Sequence, residues 1–172
     1  IAECLVGSEM CIRDRSSGKV GCLVAVDHYS KWLSVVPIRD KRAQTVSTAF
    51  EKIILPGLAK RPVKVLSDNG PEFRSEIFNE MLESYGIIHV LTTPYKPSSN
   101  GAVERVNRTV IQLLKGLIDK GHQWENELNK AVMVYNDTYH EEIKMSPSNK
   151  LLRENHLGIQ NVNLPSRGKA VW

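Results

Sequence analysis

Two acidic residues stand where a carboxylate could do chemistry. Asp68 follows a short apolar run, Val63 to Ser67, and opens the turn Asp68-Asn69-Gly70. Glu104 falls in the first turn of a long amphipathic stretch that begins near Gly101, and 35 residues lie between the two. Converging carboxylates bind Mg²⁺ or Mn²⁺, hard cations that prefer oxygen ligands. Two such ions about 4 Å apart can activate an attacking oxygen and stabilise a leaving one at a phosphodiester. Taken singly, each residue has a plainer explanation. Asp-Asn-Gly is a common turn sequence, and Glu104 suits a helix N-terminus one turn ahead of Arg108. Placement sets the pair apart: a strand tip and a helix start leave the same end of a sheet, if the strands follow the order proposed below. A third carboxylate is normally needed to bridge two ions. Asp27 is the tempting candidate, but it reads better as a turn residue ahead of Tyr29-Ser30.

The stretch Thr93-Pro94-Tyr95-Lys96-Pro97-Ser98-Ser99-Asn100-Gly101 leads into the segment bearing Glu104. An aromatic ring (Tyr95), a lysine (Lys96), hydroxyls and an amide (Asn100) beside a helix N-terminus suit phosphate and base contacts. Arg105, Arg108 and Lys115 add cations that could hold a nucleic-acid backbone. A solvated proline loop and a solvated helix face are the ordinary alternatives. His28, His89, His122, His140 and His156 are scattered, and singly they read as surface or hydrogen-bonded histidines rather than ligands.

These residues need a scaffold, and the pattern predicts one. Gly21 to Val26 and Trp32 to Ile38 are short, β-branched runs that read as strands joined by Asp27 to Lys31. After Asp40, a candidate N-cap, Val46, Ala49, Phe50, Ile53 and Ile54 fall on one helical stripe, stopped by Pro56-Gly57. Val63 to Ser67 is the next strand. Ile77, Phe78, Met81, Leu82 and Tyr85 form a second amphipathic helix, closed by Gly86. Ile87 to Leu91 is a further strand. Two more helices follow, one from about Gly101 and one carrying Trp124, Leu128, Val132, Tyr135 and Tyr139, with a short helix after Pro147. A hairpin followed by alternating strands and helices implies an α/β mixed sheet flanked by helices, given one more strand before Val20.

Composition permits this and excludes several classes. With 172 residues, 41% hydrophobic and 24% charged, the chain can bury a core and is not disordered throughout. No apolar run approaches membrane-spanning length, so a membrane partner is not expected. Cys4, Cys11 and Cys22 form no CxxC pair, which rules out a disulfide scaffold and gives no zinc-site spacing. A net charge of +4 allows a polyanionic partner without requiring one.

Three segments carry a family resemblance: LVAVDHYSKW (Leu23 to Trp32), VLSDNGPEF (Val65 to Phe73) and TTPYKPSSNGAVERVNR (Thr92 to Arg108), with a weaker match in YNDTYHEEIKMSPSNKLL (Tyr135 to Leu152). In this order, with the D-35-E spacing, they resemble the catalytic core of retroviral-type integrases, in particular those of gypsy-like LTR retrotransposons. The resemblance implies a ribonuclease H-like five-stranded mixed sheet and an Asp, Asp, Glu triad holding two Mg²⁺ or Mn²⁺ ions. Asp68 matches the second aspartate and Glu104 the glutamate, as catalytic and metal-binding residues. Tyr95, Lys96, Asn100, Arg105 and Arg108 are the expected nucleic-acid contacts. Ile111 departs from a position where a lysine is usual. The implied activity is DNA integration by polynucleotidyl transfer, with element ends and target DNA as partners, a homo-oligomeric working form and a nuclear location.

One segment breaks the pattern. Leu5 to Arg15 (LVGSEMCIRDR) resembles the in-frame translation of the mosaic-end adapter of transposase-based sequencing libraries. The expectation is therefore a non-native segment over 1–15, an integrase core truncated at its N-terminus over 16–157, and a C-terminal linker over 158–172. The family's first aspartate lies on the strand preceding LVAVDHYSKW, inside the foreign segment, so the central strand is expected to be replaced and the chain inactive. Asp14 is the nearest carboxylate by spacing, and its match reads as accidental. Two other readings stay open: a host-recruited, non-catalytic integrase derivative that binds nucleic acid, and an insertion-sequence DDE transposase.

Overall fold

The computed structural model describes residues 3–7, 21–58, 60–92 and 124–156. Five strands form one sheet in the order β3-β2-β1-β4-β5. They are β1 (Glu3–Gly7), β2 (Gly21–Asp27), β3 (Leu33–Ile38), β4 (Lys64–Ser67) and β5 (Ile88–Leu91). β1–β2 and β2–β3 pair antiparallel, whereas β1–β4 and β4–β5 pair parallel. The sheet is therefore mixed and ribonuclease H-like, as the motif order implies.

The central place belongs to β1. Its first two residues precede the LVGSEMCIRDR run, and its last three, Leu5, Val6 and Gly7, belong to it. The sheet is thus closed at its middle by a strand drawn largely from that run. An extended backbone pairs with both neighbours through its own N–H and C=O groups, whatever its side chains. Cys4 and Val6 alternate onto the core face and are fully buried there. A sequence with that alternation meets the demands of the position, whatever its origin.

β2 buries six of its seven residues, the continuous apolar pattern of a strand covered on both faces. On one face lies α1 (Ala43–Ala49), which runs through a π-helical turn (Phe50–Ile54) into a last turn, α2 (Leu55–Gly57), and then α3 (Glu76–Ser84). Phe78 of α3 centres this core, edge-on to Phe50 at 5.7 Å and to Phe73 at 5.2 Å. Asp40 is not an N-cap: Arg42 holds that position, and the Asp40 carboxylate takes the Thr45 hydroxyl at 2.6 Å and the Arg42 amide at 3.0 Å.

The other side of β3 is met by α4 (Trp124–Asp137), followed by α5 (Pro147–His156). Asn136 of α4 reaches edge strand β3, where Oδ1 accepts from the Leu33 amide and Nδ2 donates to the Leu33 carbonyl, both at 2.9 Å. Lys31, at φ 59° in the β2–β3 turn, forms an ion pair with Glu142 at 2.8 Å. No helix among the described residues is long and apolar enough to cross a membrane.

Candidate metal centre

Asp68 follows directly on β4, at the C-terminal ends of the three parallel strands, where α/β sheets place their sites. Its carboxylate is half-buried, and Oδ1 accepts the Gly70 amide at 2.9 Å. The turn explanation of Asp68 is thus physically present. It engages one oxygen, and a carboxylate has further lone pairs to give, so the turn bond and metal ligation are compatible.

The turn has a built shape. The amides of Phe73 and Arg74 both donate to the Gly70 carbonyl at 3.0 Å. Ser75 then caps α3, accepting from the Phe78 amide at 3.2 Å and donating to the Glu72 carbonyl at 2.7 Å. This fold-back carries Glu72 inward, to 5% exposure. A Cβ on Gly70 would stand 3.0 Å from Asp68 Oδ1 and 3.0 Å from Glu72 Oε1. Two carboxylates therefore flank a glycine that has no side chain to part them. Reading the sequence singled out Asp68 and missed Glu72. The only signal was an acidic residue four places on, ahead of Phe73 in a turn, and its burial depends on the Gly70–Ser75 geometry.

The chain that leads toward Glu104 leaves from this same end. Asn69 Nδ2 donates to the Thr92 carbonyl at 2.6 Å, and the Thr92 amide donates to the Ser67 carbonyl at 2.9 Å. Glu104, Tyr95, Lys96, Asn100, Arg105 and Arg108 lie outside the described residues, as do Arg13 and Asp14 of the foreign-looking run. Asp27 is the last residue of β2 and braces the turn that follows: its Oδ2 accepts the Ser30 amide at 2.8 Å and the Ser30 hydroxyl at 2.5 Å.

The central strand ends on a residue that has no side chain to offer a metal. Val6 pairs with Ser67; Gly7 then closes β1, and Asp68 is the first residue past β4. Glu3 is the acidic residue of β1, and it pairs with Lys64 at the opposite end, roughly 13 Å along the strand at ~3.3 Å per residue. Carboxylate oxygens suit a hard cation. Among the described residues, however, no group of three or more His, Cys, Asp or Glu could hold a metal.

Two histidines take partners inside the fold, while His122 lies outside the described residues. His89 is hydrogen-bonded on both ring nitrogens, and burial lowers its pKa below the ordinary value. His140 packs edge-on against Tyr135 at 4.7 Å, and burial, with the Glu142 charge, pushes the Tyr135 hydroxyl up to about 12.

Comparison with known proteins identifies the class. The Integrase core domain family matches residues 5–97, more than half of the chain, so the chain belongs to that family. It is 33% identical over 112 residues to the Gag-Pol polyprotein of avian reticuloendotheliosis virus, covering 64% of this chain and 10% of that protein. It is 26% identical over 134 residues to the transposon Tf2-3 polyprotein of Schizosaccharomyces pombe, covering 77% and 10%. The chain thus spans about a tenth of the length of the curated relatives it matches. Among solved structures, the catalytic core domain of BIV integrase superposes with a TM-score of 0.72 at 21% identity, over 90% of this chain and 96% of that one. The HTLV-2 integrase catalytic core domain in complex with magnesium, in a trimeric form, gives 0.67 at 26% identity, over 84% and 93%. The chain is an integrase catalytic core of retroviral and retrotransposon type.

Proposed function

We propose that this chain derives from the core that integrates the DNA of an LTR retrotransposon, and that the chain as it stands is catalytically inert. In the ancestral reaction, water cleaves a phosphodiester near the element's end and frees a 3′-hydroxyl. That hydroxyl then displaces one strand of target DNA, forming a new phosphodiester as the old one breaks. Mg²⁺ or Mn²⁺, when bound as a pair, supplies activation of the attacking oxygen and stabilisation of the leaving one. Asp68 and Glu104 would hold the ions. Tyr95, Lys96, Asn100, Arg105 and Arg108 would bind DNA, in a multimer working in the nucleus. The family, the carboxylate chemistry at the end of β4 and the departure of the chain toward Glu104 from that same end support this reading.

Inertness rests on a single observation: β1 ends at Gly7, one residue past the Val6–Ser67 pair, and has no carboxylate at that end. The resemblance puts the first aspartate on that strand. In this reading residues 1–15 are of foreign origin and supply a strand without its ligand. The test is incubation with Mn²⁺ and a fluorescent element-end duplex. No metal-dependent cleavage is expected; efficient cleavage abolished by Glu104→Gln would overturn the reading of inertness.

A further inference from the structure

Behind Asp68 runs a chain of side-chain hydrogen bonds that metal ligation leaves unused. His89 of β5 lies with Nε2 2.8 Å from Ser67 Oγ and Nδ1 2.5 Å from Asn79 Oδ1. An amide oxygen only accepts, so Nδ1 carries the proton and Nε2 presents its lone pair to the Ser67 hydroxyl. The single Ser67 proton goes to Nε2, the nearer acceptor, with the Asp68 carbonyl oxygen 3.1 Å from the same Oγ, and Ser67 is 1% exposed. The imidazole edge is fixed by Phe78, 5.3 Å away at 67°. Three elements therefore grip one ring: β4 through Ser67, β5 through the backbone of His89, and α3 through Phe78 and Asn79.

The order Ser, His, Asn looks like that of an activated nucleophile. Burial of Ser67 argues against it, since no substrate reaches the hydroxyl. The topology offers another role. Ser67 is the residue before Asp68, and Asn79 lies in the helix that follows the Asp68 turn. The ring of His89 spans the base of that turn, tying its entry to its exit. We propose that Asn79–His89–Ser67 is a positioning relay that fixes the backbone at Ser67 and so sets the direction of the Asp68 carboxylate. Its use in metal binding rests on the reading of Asp68 as a ligand.

The relay is tested on the whole chain by NMR. His89→Leu keeps bulk and removes both hydrogen bonds; His89→Gln restores an acceptor toward Ser67. The probe is exchange of the Gly70 amide, which donates to Asp68 Oδ1, with the Val24 amide of β2 as an internal reference for global opening. Loss of the relay is expected to speed Gly70 exchange about tenfold relative to Val24 in His89→Leu, and His89→Gln is expected to bring it back within about threefold of the parent. Asn79→Ala, at a half-exposed helix position, is expected to shift the imidazole toward the Nε2–H form in its ¹⁵N spectrum and to speed Gly70 exchange in the same sense. Unchanged Gly70 exchange in His89→Leu, or no rescue by His89→Gln, overturns the relay. Mn²⁺ broadening of the Gly70 amide separates the two claims: if Asp68→Asn leaves broadening as it was, the metal reading fails, while the exchange comparison still decides the relay.

Discussion

His89 shows how much a single half-buried side chain determines around Asp68. The ring is neutral because burial disfavours its charged form, and its pKa lies below the ordinary 6.5. The unfolded chain therefore takes up a proton first as pH falls. The stability contributed by the neutral ring is complete above the ordinary value and is lost on descending through 6.5 toward the folded value. Denaturant titrations at pH 7.5 and pH 5.5 should show the parent losing more stability on acidification than His89→Gln, which has nothing to titrate there. Carboxylates contribute equally to both chains and cancel in the comparison. Equal losses would mean that the imidazole is not held neutral by its surroundings. The neighbouring Gly70 makes a complementary point. Its missing side chain lets Asp68 and Glu72 share one side of the turn, so Gly70→Ala should push the Glu72 carboxylate aside, visible as a displaced side chain in a crystal structure of the variant.

At the level of elements, Asn136 does for strand β3 what a further strand would do. Both backbone groups of Leu33 bond to its amide, and Asn136 is 3% exposed. Asn136→Ala would leave a buried N–H and C=O without these partners, at about 2–4 kcal/mol for the two together. Chemical denaturation should show that loss as a lower midpoint with an unchanged slope. Asn136→Leu should do no better, because its bulk supplies neither bond. Elements of this kind divide sharply by how far sequence discloses them. β2, β3 and β4, the helix over Phe78 and the one over Leu128 were legible, because burial on a sheet or helix face imposes a period on the residues themselves. β1 was not. Its residues looked foreign, and pairing at the centre of a sheet is a backbone property that asks little of side chains. Asp40 misled in the other direction: it braces the first turn of α1 from two residues before the cap. Asp68 was legible because a strand tip followed by Asn-Gly is a local signal. Glu72, Asn79 and Ser67 acquire their partners only through the turn and the β4–β5 pairing, which no single stretch of sequence encodes.

For the whole molecule, the sheet closes around a strand that need not be the one the family evolved. Folding and chemistry can thus part company: the core requires Cys4 and Val6 to face inward, whereas a metal site would require a carboxylate one residue further on. The position is defined by register, since Val6 pairs with Ser67 and Gly7 is the next residue of β1. Parallel neighbours in register point their side chains to the same face of the sheet. An aspartate at Gly7 would therefore extend from β1 on the same side as the Asp68 carboxylate, from a strand held on both edges. Gly7→Asp should tighten Mn²⁺ binding by about tenfold or more over the parent, since each added carboxylate raises the charge and ligand number at a hard-cation site. Asp68→Asn should remove the gain in the double variant, because the two carboxylates would act as one site. Isothermal titration with Mn²⁺ reads both. A gain that survives Asp68→Asn would place the ion elsewhere, and no gain in a Gly7→Asp chain that keeps its circular dichroism and melting temperature would remove β1 as the seat of the missing ligand.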